Sequence, residues 1–108
     1  MRSTKFPDDI FANFLKEVGS SIKVPAFEAN LYDIDLDNFM LYCYTDNSNA
    51  MTTYTTTLQA ANFTIDDSLQ TYYATSPDNK YEIAYMYVEA SEDRDACLVI
   101  NCSGVASY

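Results

Sequence analysis

The chain has 108 residues, with sixteen acidic side chains, six basic ones and no histidine, giving a net charge of −10. The length fits one domain, and ten tyrosines with six phenylalanines supply enough apolar area to exclude a disordered chain. The charge repels phosphate backbones and anionic lipid, which argues against nucleic acid and anionic membranes as ligands; the missing histidine excludes Ser-His-Asp, Cys-His and His-containing zinc sites within the chain.

Residues 7–18 read as a helix. Pro7 suits a helix start, Asp8 and Asp9 sit at the positive end of the helix dipole, and Ile10, Phe11, Phe14, Leu15 and Val18 form one stripe. Gly19 is placed to end it. After Val24-Pro25, residues Phe27, Ala29 and Leu31 alternate with Glu28, Asn30 and Tyr32, which predicts a strand near a sheet edge. Residues 33–38 read as a polar turn. Phe39, Leu41 and Cys43 then alternate with Met40, Tyr42 and Tyr44 as a second strand. Over residues 48–62 the threonines favour a strand, yet Met51, Tyr54, Leu58 and Ala61 fall at helical spacing and Asn62 tolerates a left-handed stop. The spacing decides for helix. Three strands follow: residues 69–75, residues 81–89 with Tyr81, Ile83, Tyr85 and Tyr87 on one face, and residues 96–102. The last is apolar on both faces and so is expected at the sheet centre.

The order α-β-β-α-β-β-β predicts an α+β fold, one antiparallel sheet with two helices packed on one face. A single domain is expected over residues 1–108, with residues 1–5 and 103–108 frayed or linker-like. No apolar run of about 18 residues exists to span a bilayer, and Met1–Pro7 lacks the apolar stretch of a signal peptide.

Phe6-Pro7-Asp8-Asp9-Ile10, Val24-Pro25, the Thr-rich helix Tyr54-Thr55-Thr56-Thr57-Leu58 and the turn Ala61-Asn62-Phe63-Thr64 form a pattern. It resembles small, often repeated α+β modules of uncharacterised surface proteins and lipoproteins of Gram-positive and related gut bacteria. Asn62 stands where that pattern carries glycine. The resemblance covers about residues 6–102 and implies a fold, a bacterial surface setting and no established chemistry.

The acidity is mainly a shortage of bases. Between Val24 and Asn79 there is no lysine or arginine, while eight carboxylates lie there. Asp33, Asp35 and Asp37 stand at positions 1, 3 and 5 of a possible calcium loop, but Asn38 and Tyr44 occupy the places where that loop wants Gly and Glu. A solvated acidic turn is the plainer expectation, and no metal or cofactor is assigned. Tyr42 and Tyr44 on one strand, with Tyr72, Tyr85 and Tyr87 further on, could form an exposed platform for a protein partner, or could simply pack across strands. Of the three cysteines, Cys97 and Cys102 are too far apart along one strand to bridge, so a disulfide would join Cys43 to one of them, with Cys43–Cys102 as the candidate pair; three reduced thiols are the alternative. Asn62 and Asn101 begin glycosylation sequons.

These features suggest a non-enzymatic binding or spacer module, extracellular or on a cell surface, with an unidentified protein partner. The alternative is a small acidic phage-type inhibitor in the cytoplasm, mimicking nucleic acid and filling a basic protein groove.

Overall fold

The computed structural model describes residues 1–105. Chain order is β1 (Arg2–Ser3), α1 (Asp8–Val18), β2 (Leu31–Asp35), β3 (Met40–Tyr44), α2 (Ala50–Ala60), β4 (Thr64–Asp66), β5 (Tyr72–Thr75), β6 (Tyr81–Val88) and β7 (Cys97–Gly104). The strands form one sheet in the order β1-β2-β3-β7-β6-β5-β4, and every pairing is antiparallel. The fold is α+β as expected, with the short β1 and β4 added to the expected order. β7 lies at the centre, as its two apolar faces require.

Both helices end as their sequences dictate. Gly19 (φ 73°) closes α1, with the Ser20 N–H donating to Leu15 C=O at 3.0 Å. Asn62 (φ 68°) does the same for α2, with the Phe63 N–H donating to Leu58 C=O at 3.0 Å. The threonines are accommodated in α2 because Thr56 and Thr57 turn their hydroxyls back onto the carbonyls of Thr52 and Thr53. The other side of α2 buries Ala50, Tyr54 and Leu58.

One face of the sheet carries the core. Tyr32, Ile34, Leu41, Cys43, Leu98, Ile100, Ile83 and Tyr85 are buried there with Phe11 and Phe14 of α1 and Tyr54 and Leu58 of α2. Ring contacts fix both helices to this face: Phe14 meets Tyr81 at 5.6 Å and Tyr54 meets Tyr85 at 5.2 Å, both edge-on.

Of the strand expected at residues 27–32, only Leu31 and Tyr32 lie in a strand, the start of β2. Residues 22–29 are irregular, yet Val24 and Phe27 are buried. Buried backbone carbonyls need partners, and here tyrosine hydroxyls supply them. Tyr81 donates to Ile22 C=O at 2.8 Å, Tyr54 to Pro25 C=O at 2.7 Å and Tyr32 to Phe27 C=O at 2.6 Å. The Tyr32 oxygen also accepts the Ala29 N–H at 3.0 Å. Three phenols thus do for this segment what a neighbouring strand would have done.

β2 instead runs into the acidic segment expected to be a turn. Its alternation buries Tyr32 and Ile34 and leaves Leu31, Asp33 and Asp35 on the other face. Carboxylates are tolerated there because no helix covers that face.

Two end expectations are corrected. Arg2–Ser3 is not frayed but pairs with Tyr32 and Asp33. Ser103 and Gly104 extend β7 opposite Glu82 and Tyr81, because β6 is long enough to pair with them. Residues 106–108 of the expected frayed tail lie outside the described residues.

A polar clamp fixes the β5–β6 hairpin. The Asp78 carboxylate accepts the hydroxyls of Ser76 (2.7 Å) and Ser20 (2.6 Å). The buried Ser76 oxygen accepts the Tyr81 N–H at 3.1 Å. These bonds, Ser20 first, hold the Asp78 carboxyl below the ordinary carboxylate range.

Candidate functional site

Strand register decides which candidate side chains meet. Leu41 lies opposite Ile100 and Tyr42 opposite Val99; Met86 lies opposite Val99 and Tyr87 opposite Leu98. Leu41, Leu98, Ile100 and Tyr87 therefore share the helix-covered face, and Tyr42, Val99 and Met86 share the open one.

The five candidate tyrosines divide between these faces. Tyr42 and Tyr44 stand on the open face, half-buried among their neighbours. Tyr85 faces the helices and is 1 % exposed, with its hydroxyl 2.6 Å from Thr55 Oγ1. It cannot belong to an exposed platform, because it fills the gap beneath Tyr54. Tyr72 lies opposite Tyr85 in the register, their rings 5.7 Å apart. Tyr72 and Tyr87 both line a shallow groove of about 780 Å³ beyond the end of β5, with Met51, Leu69 and Met86. The expected platform is therefore corrected to an open-face pair and a groove pair, and Tyr72 and Tyr85 pack across strands as the other expectation has it.

The rest of the open face is not among the residues expected from the sequence. Val99, Met86, Val88 and Ala84 lie on it beside the two tyrosines and are half-buried. The signal for it is the alternate face of β6, where Ala84, Met86 and Val88 stand between the core residues. Cys97 also faces this side and is fully buried. Burial raises the Tyr44 phenol, and the Asp33 carboxylate adds to the shift.

The three aspartates do not converge on a cation. Asp35 turns its carboxylate into the β2–β3 turn. Its Oδ1 accepts the Asp37 N–H at 3.1 Å and its Oδ2 accepts the Asn38 side-chain amide at 2.8 Å. These bonds lower the Asp35 pKa, with the Asn38 side chain foremost. Among the described residues no three His, Cys, Asp or Glu side chains form a metal-holding group. Thermal melts with calcium and with chelator are accordingly expected to coincide; a rise in melting temperature with calcium would restore the loop.

The candidate Cys43–Cys102 bridge is corrected as well: all three cysteines are free and buried. Cys43 lies opposite Leu98, four residues along β7 from Cys102, so their Cα atoms are roughly 13 Å apart, beyond the ~7 Å a bridge tolerates. Burial pushes the Cys102 thiol up to about 12 and raises Cys43 and Cys97. That is the opposite of a reactive thiolate site. Of the sequon asparagines, Asn62 is exposed. Asn101 spends its side-chain amide on the Phe39 carbonyl at 2.9 Å.

No helix among the described residues is long and apolar enough to cross a membrane. No protein-family model matches the sequence, and no significant match to it was found among curated proteins or solved structures.

Proposed function

We propose that the chain is a non-enzymatic protein-interaction module of a bacterial surface-exposed protein, working through the open face of its sheet. The carrying observation is the composition of that face. An uncovered antiparallel sheet ordinarily alternates to polar residues on its solvent side. Here Tyr42, Tyr44, Val99, Met86 and Val88 lie together instead. A contiguous apolar patch with a polar rim is the usual mark of a protein-binding surface, and tyrosine adds contact area with little entropy loss. The resemblance carried by Phe6-Pro7, Val24-Pro25 and the turn at Asn62 supports the surface setting.

A second reading is favoured by one observation. Three unbridged cysteines suit a reducing compartment, where the acidic chain would act as a cytoplasmic inhibitor occupying a basic, nucleic-acid-binding groove.

The test compares immobilised wild type with Val99→Lys, offered to envelope and cytosolic fractions of the source cells. Lys16→Ala, on the exposed side of α1, serves as control. The first reading expects an envelope protein retained by wild type and the control and lost by Val99→Lys. Salt-eluted capture from cytosol alone would replace it with the second. Equal capture by all three proteins, or none, would defeat the module reading.

A further inference from the structure

We infer that the occupant of the open face is a protein surface with an apolar ridge flanked by lysine or arginine, and not a second copy of this chain. The inference rests on the reading of the open face as the binding surface, and it specifies the partner's chemistry.

The register sets charge at the margins and apolar groups in the middle. One row across the strands runs Asp33, Tyr42, Val99, Met86. The next runs from Asp35 through Met40, Asn101, Ala84 and Tyr73 to Asp66. Asp33 and Asp35 therefore bound the patch on the β2 side, and Asp66 bounds it on the β4 side. Glu82, opposite Ser103, lies toward one end of β6. Arg2, opposite Asp33, is the one basic side chain that the strands place on this face among the described residues. The rim thus carries Asp33, Asp35, Asp66 and Glu82 against Arg2 and the Met1 ammonium, which lies 3.3 Å from Asp33 Oδ1, while Asp46, Asp93 and Asp95 outnumber Arg94 beyond Tyr44.

Two alternative modes fit less well. Strand addition at an edge needs an exposed strand of some length, and the edge strands here have two and three residues. Self-association would stack two such faces about 10 Å apart, close to the ~8 Å screening length at physiological salt. Two chains of net charge −10, with acidic rims apposed, would then repel. A partner with basic flanks turns the same rim into attraction, which speeds encounter and fixes orientation.

The probes are two amphipathic peptides of about 16 residues, identical except that Lys flanks the leucine face in one and Glu in the other. Each is titrated into the isotope-labelled chain while backbone amide shifts are followed, at about 50 mM and about 300 mM salt. The expected result is shifts centred on Tyr42, Val99 and Met86 with the Lys peptide only. Affinity should weaken by about tenfold at the higher salt, and light scattering should give the 12.2 kDa monomer throughout. Equal binding of both peptides, shifts centred on α1 or α2, or a dimer of the free chain would overturn the inference. Such an outcome leaves the module reading intact as long as capture depends on Val99. Loss of that dependence removes the module reading itself.

Discussion

Tyr54→Phe is expected to lower stability by about 1–3 kcal/mol, although it removes a single oxygen. Tyr54 is fully buried, and its hydroxyl donates to Pro25 C=O at 2.7 Å. Without it that carbonyl loses a partner inside the core. Tyr54→Ala adds the loss of the ring, which meets Phe27 at 5.9 Å and Tyr85 at 5.2 Å. The cost then rises to about 3–5 kcal/mol, a large share of the ~5–15 kcal/mol available to a domain of this size. Urea unfolding of both variants checks this. Tyr42→Phe, on the open face, is expected to stay within about 0.5 kcal/mol of wild type. A Tyr54→Phe protein as stable as wild type would mean that the 22–29 segment is not held by phenols.

The second large effect is unfolding in alkali. Burial raises the pKa of Tyr32, Tyr54, Tyr81 and Tyr85, and of all three thiols. The folded state therefore keeps these groups neutral at pH values where the unfolded chain ionises them. Their ordinary values are 9.0 for the thiols and 10.0 for the phenols. Their contribution is complete below pH 9 and falls as pH rises through the folded values. Each group removes about 1.4 kcal/mol per pH unit while only the unfolded form is ionised. Tyr54, Tyr81, Cys43 and Cys102, whose shifts are the largest, together remove much of the stability of an ordinary domain within one or two pH units above 10. The expected result is a cooperative loss of circular dichroism coinciding with ionisation of the buried tyrosines. Gradual titration of all ten tyrosines near pH 10 with the dichroism intact would contradict the packing described.

The parts of the fold legible in the sequence are those that local rules determine. Both helices, the stops at Gly19 and Asn62, the alternation of residues 81–88 and the central place of β7 follow from spacing and capping. The misread segments depend on contacts distant in sequence. Nothing near Phe27 reveals that its carbonyl is bonded by Tyr32, or that Ile22 and Pro25 are served by Tyr81 and Tyr54, up to 59 residues away. Asp33 and Asp35 look like turn residues until the sheet is known to have an uncovered face. The site was half legible for the same reason. Tyr42 and Tyr44 could be picked by type, but their neighbours Val99 and Met86 come from strands 40 or more residues later, and only the register joins them. Tyr85 suits either a surface platform or cross-strand packing by its type alone, and only the fold shows that it is buried.

The division between a structural helix-side face and a working open face is tested most directly by side-chain oxidative footprinting of the chain, free and bound to its captured partner. Protection of Met40 and Tyr42 on binding, with Met51, Tyr72 and Tyr87 unchanged, is the predicted result. Protection confined to Met51, Tyr72 and Tyr87 or to the outer side of α1, with Met40 and Tyr42 still oxidised as in the free chain, would contradict it.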